Sequence, residues 1–178
     1  MTQAAVAALV YLLDEAFDGR GLEDSNESQS LMWNLATVTE AEWRTLPPGA
    51  TRTVESMALH VAACKLMYAD YAFESGSMQW GTPDVEGRWE PGTAPMTEVT
   101  AWLRLAHLSF REHVATLEDD DLDRPRMTNW GELRPTRWIV GAIAGHDFYH
   151  AGEINHLRSL LGDDDRWRWQ QMEDPSPP

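Results

Sequence analysis

The segment from Thr136 to Leu161 most constrains the fold, because it places two histidines on the apolar face of one long helix. Its apolar residues recur at steps of three and four, which is the spacing of one face of an α-helix. That face consists of Ile139, Ile143, His146, His150, Ile154, Leu157 and Leu161. Residues four apart lie one turn along the helix and about 40° around it, so both imidazoles are predicted to point into the core.

Two imidazole rings that are buried side by side need polar partners, because an unsatisfied polar group in the interior is unfavourable. A divalent metal ion bound by neutral imidazole nitrogens would satisfy both rings. The alternative is a pair of core histidines bonded to backbone groups or carboxylates. A third histidine on a neighbouring helix favours the metal, since three imidazoles leave a fourth coordination position open to water or substrate.

A second predicted helix supplies that third histidine. Thr53 is a suitable N-cap, and the helix is expected to run to about Phe73. Its buried stripe consists of Val54, Met57, Val61, Cys64, Tyr68 and Tyr71. His60 lies at the edge of this stripe, which makes it the third candidate ligand. Cys64 lies one turn from His60 and is assigned to the core, as a small thiol on an apolar stripe usually is.

Other polar residues allow more than one interpretation. Asp147 and Glu153 flank the pair and could accept a hydrogen bond from an imidazole, but exposure to solvent is the simpler prediction for both. The run HDFYH also fits the zincin pattern His-Glu-x-x-His with Asp147 as general base, although the shorter side chain reaches less far toward a bound water. Neither His107 with His113 nor His150 with His156 shares a helical face, so His107, His113 and His156 are assigned to the surface or to ordinary packing.

The rest of the chain predicts further helices. An amphipathic helix is expected over Ala4–Phe17, a break over Asp18–Ser30, and renewed helix from Leu31, with Thr39 capping a short turn. A third long helix is expected after a cap at Thr97 and ends before the acidic run EDDDLD. No alternating strand pattern is present, so the principal helices predict an all-α bundle.

Two long loops border the predicted helices, over residues 74–95 and 123–135. We expect the aromatic residues Trp80 and Trp89 to pack the first loop. Three other tryptophans either fill the core or line a substrate cavity, namely Trp102, Trp130 and Trp138.

Length and charge narrow the class of protein. A chain of 178 residues suits one domain, and we expect a bundle over residues 1–162 and an acidic polar tail over residues 163–178. The net charge of -15 argues against nucleic acid and anionic membranes as partners, since both favour a basic surface. The sequence has neither an apolar run of about 18 residues nor a basic signal-peptide region, and its single cysteine excludes an intramolecular disulfide, so we expect a cytoplasmic protein.

These motifs resemble those of the DinB/YfiT-like superfamily of metal-dependent enzymes. In that family the first histidine follows a capping Ser or Thr early in the second helix, which RTVESMALH matches with Thr53 and His60. The last helix carries His-x-x-x-His, a small residue, Gly, an amide or acid, and Ile, which HDFYHAGEI matches from His146 to Ile154. The resemblance spans nearly the whole chain. It implies a four-helix bundle in up-down-down-up order, commonly a homodimer, with zinc or nickel on His60, His146 and His150.

The resemblance also implies a class of chemistry. Relatives include thiol-dependent S-transferases that use bacillithiol, mycothiol or glutathione, and mycothiol-dependent maleylpyruvate isomerases. By analogy we expect a thiol-dependent S-transferase with a small-molecule substrate, in which the metal lowers the pKa of a thiol or of water. Two alternatives stay open. One is a metal-dependent hydrolase that uses a carboxylate such as Asp147 or Glu153. The other is a non-catalytic, stress-associated protein whose metal site is closed by a fourth protein ligand.

Overall fold

A computed structural model describes residues 3–19, 22–23, 27–85 and 87–162 of the chain. In chain order, the helices within these residues are α1 (Ala4–Phe17), α2 (Leu31–Leu35), α3 (Glu40–Arg44), α4 (Val54–Phe73), α5 (Met96–Ala115) and α6 (Thr136–Gly162). The four long helices, α1, α4, α5 and α6, pack together, and this confirms the predicted all-α four-helix bundle. Within the same residues, every helix is too short or too polar for a membrane crossing. The predicted acidic tail lies outside the described residues.

Side-chain caps fix where several of these helices begin. As predicted, Thr53 caps α4: its Oγ1 accepts the Ser56 backbone N–H at 3.2 Å, and Ser56 Oγ accepts the Thr53 backbone N–H at 3.1 Å. The predicted cap at Thr97 is wrong, because α5 begins at Met96 and Pro95 occupies the cap position. Thr136 is the first residue of α6, and its buried hydroxyl donates to the Arg124 carbonyl at 2.9 Å.

The predicted apolar stripes form the core. Ile139 and Ile143 of α6 pack with Leu13 of α1 and Phe110 of α5, and all four side chains are fully buried or nearly so. Ile154, farther along α6, belongs to a second cluster, which is built mainly on α4 and α5. Burying one such side chain contributes about 1.5–3 kcal/mol, so the bundle is stabilised mainly along the faces that the periodicity identified.

A short antiparallel hairpin interrupts the all-helical pattern. Strand β1 (Pro125–Met127) pairs with β2 (Leu133–Pro135), with Arg126 opposite Arg134. The sequence shows no alternating strand pattern, and this hairpin is a small departure from the predicted all-α bundle. Three residues per strand are too few for a period of two to be read from a sequence, and a proline stands at an end of each strand.

The connection between α4 and α5 is held by contacts from both helices. At its start, Asp70 accepts the Met78 backbone N–H at 2.8 Å and the Ser75 hydroxyl at 3.0 Å. Farther along, the ring of Trp89 packs edge-to-face on buried Trp102, with 5.6 Å between the ring centroids. Aromatic packing of this loop is thus confirmed for Trp89.

Candidate metal centre

The structure brings the three predicted histidines together between α4 and α6. His60 lies in the second turn of α4, and His146 and His150 lie one turn apart in the middle of α6. The Nε2 atom of His146 is 3.2 Å from Nε2 of His60 and 3.1 Å from Nε2 of His150. One ring nitrogen of each histidine therefore lies within 4.8 Å of the others.

This spacing fits a single divalent ion. Nitrogens that bind one tetrahedral ion at about 2.0–2.1 Å lie about 3.3–3.4 Å from each other, close to the observed 3.1 and 3.2 Å. A proton on His146 Nε2 can serve only one of the two nitrogens that it faces, whereas one cation accepts lone pairs from all three. The three-histidine donor set also suits zinc and nickel, which favour imidazole nitrogen.

Glu153 orients one of these rings. Its Oε2 lies 2.9 Å from Nδ1 of His150, so the ring N–H donates to the carboxylate and Nε2 presents a lone pair to the cluster. The Glu153 side chain is only 27% exposed. The prediction of a solvated Glu153 is therefore wrong, because a residue three positions after His150 lies on nearly the same side of the helix.

The rings of the pair on α6 are neutral near pH 7. Burial, together with the neighbouring His150, His60 and Lys65, lowers the pKa of His146 to about 3. Burial also lowers the pKa of His150, although Glu153 opposes that shift. Metal binding requires unprotonated imidazole, so the interior keeps these rings in the form that a metal needs.

Asp147, the residue after His146, lies in the core rather than in solvent. Lys65 Nζ donates to Asp147 Oδ2 at 2.6 Å, and both side chains are fully buried (0% exposed). The prediction of a solvated Asp147 is wrong. The buried carboxylate is bonded to a cation, so it cannot act as the general base that the zincin interpretation requires. Lys65 is the only lysine of the sequence and lies in the apolar run AACKLM, a signal that the sequence analysis missed.

The buried lysine continues into a chain of polar groups across the bundle. Lys65 Nζ lies 3.5 Å from His107 Nδ1, and His107 Nε2 lies 3.5 Å from Asp14. Arg111 donates to both oxygens of Asp14, at 2.6 and 2.8 Å. His107 also stacks on Phe17 with ring centroids 3.8 Å apart, so its assignment to packing is right, but it also belongs to this ionic cluster.

The remaining candidates stay outside the three-histidine group among the described residues. His113 contacts Glu74 at 2.9 Å, and His156 is exposed. Cys64 Sγ lies 3.6 Å from His60 Nε2 and is only 8% exposed. This agrees with its assignment to the core, although the thiol also touches a histidine of the cluster.

A cavity of about 660 Å³ opens beside His60. Trp80 and Trp89 line it, and the Trp80 ring is nearly parallel to the His60 ring, with 6.3 Å between centroids. Of the three tryptophans considered for such a cavity, Trp102 is buried in the core. Trp130 and Trp138 are exposed and pack edge-to-face on each other at 6.1 Å, and neither is among the residues that line the cavity. The sequence predicted that Trp80 packs the long loop, but its position in the cavity depends on the path of that loop, which the spacing of residues does not show.

Comparison with known proteins finds similarity to the DinB superfamily in both sequence and structure. A model of the DinB superfamily matches residues 26–154. A variant of mycothiol-dependent maleylpyruvate isomerase is similar in structure, with a TM-score of 0.63 and 12% identity over 86% of this chain. A protein assigned to the DinB family from Exiguobacterium sibiricum has a TM-score of 0.59 and 16% identity, with 94% of this chain and 98% of that chain covered.

At these identities, the two solved structures show a shared fold. The match covers 63% of the isomerase chain, which is less than two thirds of its length. No curated protein matches this chain at a significant level.

Proposed function

The chain belongs to the DinB superfamily, and from this membership we propose that it is a metal-dependent transferase that uses a low-molecular-weight thiol. His60, His146 and His150 would hold the ion, zinc or nickel. The observation that carries the proposal is the convergence of three imidazole nitrogens. The Nε2 atom of His146 lies 3.2 Å from that of His60 and 3.1 Å from that of His150. A divalent ion bound there would lower the pKa of a thiol that reaches its open coordination position.

Two further observations support thiol chemistry. A similar structure is that of a maleylpyruvate isomerase that is mycothiol-dependent. The cavity beside His60, about 660 Å³ in volume, is in the range that accommodates small molecules. In the proposed reaction the thiol sulfur forms a bond to an electrophilic carbon, the leaving group departs, and the thiol proton passes to solvent. Mycothiol, bacillithiol and glutathione are the candidate thiols.

The chain's own residues would orient the site. Glu153 holds His150 in the tautomer that directs Nε2 toward the cluster. Trp80 lines the cavity next to His60, where its ring would offer a flat apolar surface to a bound substrate.

The two alternatives receive less support from these contacts. A hydrolase needs a carboxylate near the reacting water, but Asp147 is bonded to Lys65 in the core and Glu153 is bonded to Nδ1, on the far side of the His150 ring from the cluster. A closed structural site needs a fourth protein ligand, and the group found among the described residues has three members.

We expect zinc- or nickel-loaded protein to accelerate the conjugation of monochlorobimane with at least one of mycothiol, bacillithiol and glutathione. Thiol attack displaces chloride and makes the product fluorescent, so initial rates are read directly. His146→Ala should reduce the rate to the uncatalysed background. The control is His156→Ala, an exposed histidine of the same helix, which should keep full activity. If no thiol gives metal-dependent turnover, the transferase proposal is wrong.

Glu153→Ala is expected to weaken zinc binding by about 10- to 100-fold, because the hydrogen bond that orients His150 is lost. Glu153→Gln should recover part of the affinity, since the amide oxygen still accepts the Nδ1 proton. Competition with a chromophoric chelator measures both values. Glu98→Ala, at an exposed position of α5, is the control. Unchanged affinity in Glu153→Ala would contradict the role given to this carboxylate.

A further inference from the structure

The cavity beside His60 has both apolar and basic residues in its lining. Trp80, Trp89 and Leu59 contribute apolar surface, and Arg52 and Arg44 are the basic residues of its lining. The lining holds two arginines and one glutamate, whereas the chain as a whole carries a net charge of -15. Such a combination of flat apolar surface and guanidinium groups suits a ligand with both characters.

The two arginines differ in the hydrogen bonds and ion pairs that they form with other protein groups. Arg44 donates to the Ala94 carbonyl at 2.8 Å and pairs with Glu55 at 3.5 Å. Glu55, the acidic residue of the cavity lining, also accepts the Ala94 backbone N–H at 2.9 Å, so its charge is compensated inside the protein. Arg44 and Glu55 are therefore bound to each other and to the backbone of Ala94.

Arg52 is held less closely by the described protein groups than Arg44 is. Its ion pair with Glu153 is long, 3.8 Å between Nη1 and Oε1, and its side chain is 53% exposed. A guanidinium carries five N–H donors in a planar fork that matches a carboxylate. Glu153 is bonded in turn to His150, so an anion on Arg52 lies close to the three-histidine cluster.

The start of α4 adds to the positive potential at this place. Thr53 and Ser56, in the cap and first turn of the helix, line the cavity together with Arg52. The N-terminal end of a helix carries partial positive charge. This charge adds to the attraction that Arg52 exerts on an anion.

We propose that the electrophilic substrate of this site is a planar, unsaturated or aromatic carboxylate, whose anionic group binds Arg52 and whose flat body packs against Trp80. This inference deepens the proposed function and rests on it. Thiol attack would then occur on a carbon of the flat body next to His60, while the carboxylate stays on Arg52. Bond formation to sulfur is balanced by departure of a leaving group from the same carbon and loss of the thiol proton to solvent.

The test uses 4-chloro-3-nitrobenzoate and its neutral counterpart 4-chloro-3-nitrobenzamide, which differ mainly in charge. Calorimetric titration of the zinc-loaded chain without thiol measures binding alone. We expect the benzoate to bind about tenfold more tightly than the benzamide, because its carboxylate forms a charge-assisted hydrogen bond with the half-exposed Arg52. This preference should decrease with added salt.

Arg52→Gln should abolish the preference and leave binding of the benzamide unchanged. Arg124→Gln is the matched control, because this arginine is 71% exposed and lies outside the cavity lining. It should keep the full preference. Equal binding of the two compounds, or no binding of either, would overturn the inference. A preference that persists in Arg52→Gln would also overturn it, because the carboxylate would then be bound by another group, such as the metal.

Conjugation of the same two compounds with thiol separates this inference from the proposed function. Attack at the chlorinated carbon forms the C–S bond and releases chloride. If the benzoate binds through Arg52 but no thiol reacts, the anion-binding cavity stands and the transferase proposal fails. If conjugation occurs without preference for the benzoate, the transferase proposal stands and the carboxylate inference fails.

Discussion

Lys65→Met is expected to destabilise the folded chain by about 3–5 kcal/mol, because it leaves the Asp147 carboxylate buried without its cation. Both side chains are fully buried and are joined at 2.6 Å. The second oxygen of Asp147 has no hydrogen-bond partner among the described residues, so the lysine is the main compensation for this group. Denaturant unfolding followed by circular dichroism measures the loss.

The double variant Lys65→Met with Asp147→Leu should recover most of that stability, since replacing both members of a buried pair with apolar side chains is often neutral or favourable. The exposed pair of Arg104 with Asp18 is the matched comparison, with Arg104 44% exposed. Arg104→Met should cost less than about 1 kcal/mol. A Lys65→Met variant as stable as the wild type, or a double variant no better than the single one, would contradict this account.

The buried pair also bears on the candidate site. Lys65 lies on α4, five positions after His60, and Asp147 follows His146 directly on α6. The ion pair therefore joins the same two helices that carry the three histidines. A direct link between these helices helps to hold their histidine-bearing faces opposite each other.

The sequence was sufficient to predict the bundle and the histidine cluster. Both followed from periodicity: His146 and His150 occur on the apolar face of α6, and His60 at the edge of the face of α4. The N-cap at Thr53 and the end of α4 at Phe73 were also correct. These features depend on local spacing and on chemistry within one helix, which a single sequence displays directly.

The buried charges could not be predicted in the same way. Periodicity assigns charged residues to the surface, and the pairing of Lys65 with Asp147 spans 82 positions. Only the packing of α4 against α6 reveals that the two groups compensate each other. The contact of Glu153 could have been predicted, because this residue lies three positions after His150 in the sequence. We instead predicted that Glu153 is solvated, whereas its carboxylate is bonded to His150 Nδ1.

Several predictions stay predictions. The homodimer, the cytoplasmic location and the identity of the metal and thiol rest on the resemblance or on composition. The tail over residues 163–178 lies outside the described residues, as does part of the segment Asp18–Ser30.

His146→Ala is expected to have the largest effect on metal binding. His146 Nε2 is the central nitrogen of the cluster, within 3.2 Å of both other Nε2 atoms. Removing a direct ligand should weaken zinc binding by more than the roughly 10- to 100-fold that loss of a supporting hydrogen bond costs. His156→Ala removes an exposed histidine from the same helix and should leave the affinity unchanged.

The most direct measurement is a competition titration with a chromophoric zinc chelator, applied to the wild type, His156→Ala and the alanine variants of His60, His146 and His150. We predict one tightly bound zinc ion per chain for the wild type and the control, and loss of that binding in each of the other three variants. Tight binding that survives any one of these three substitutions would contradict a site built from all three histidines.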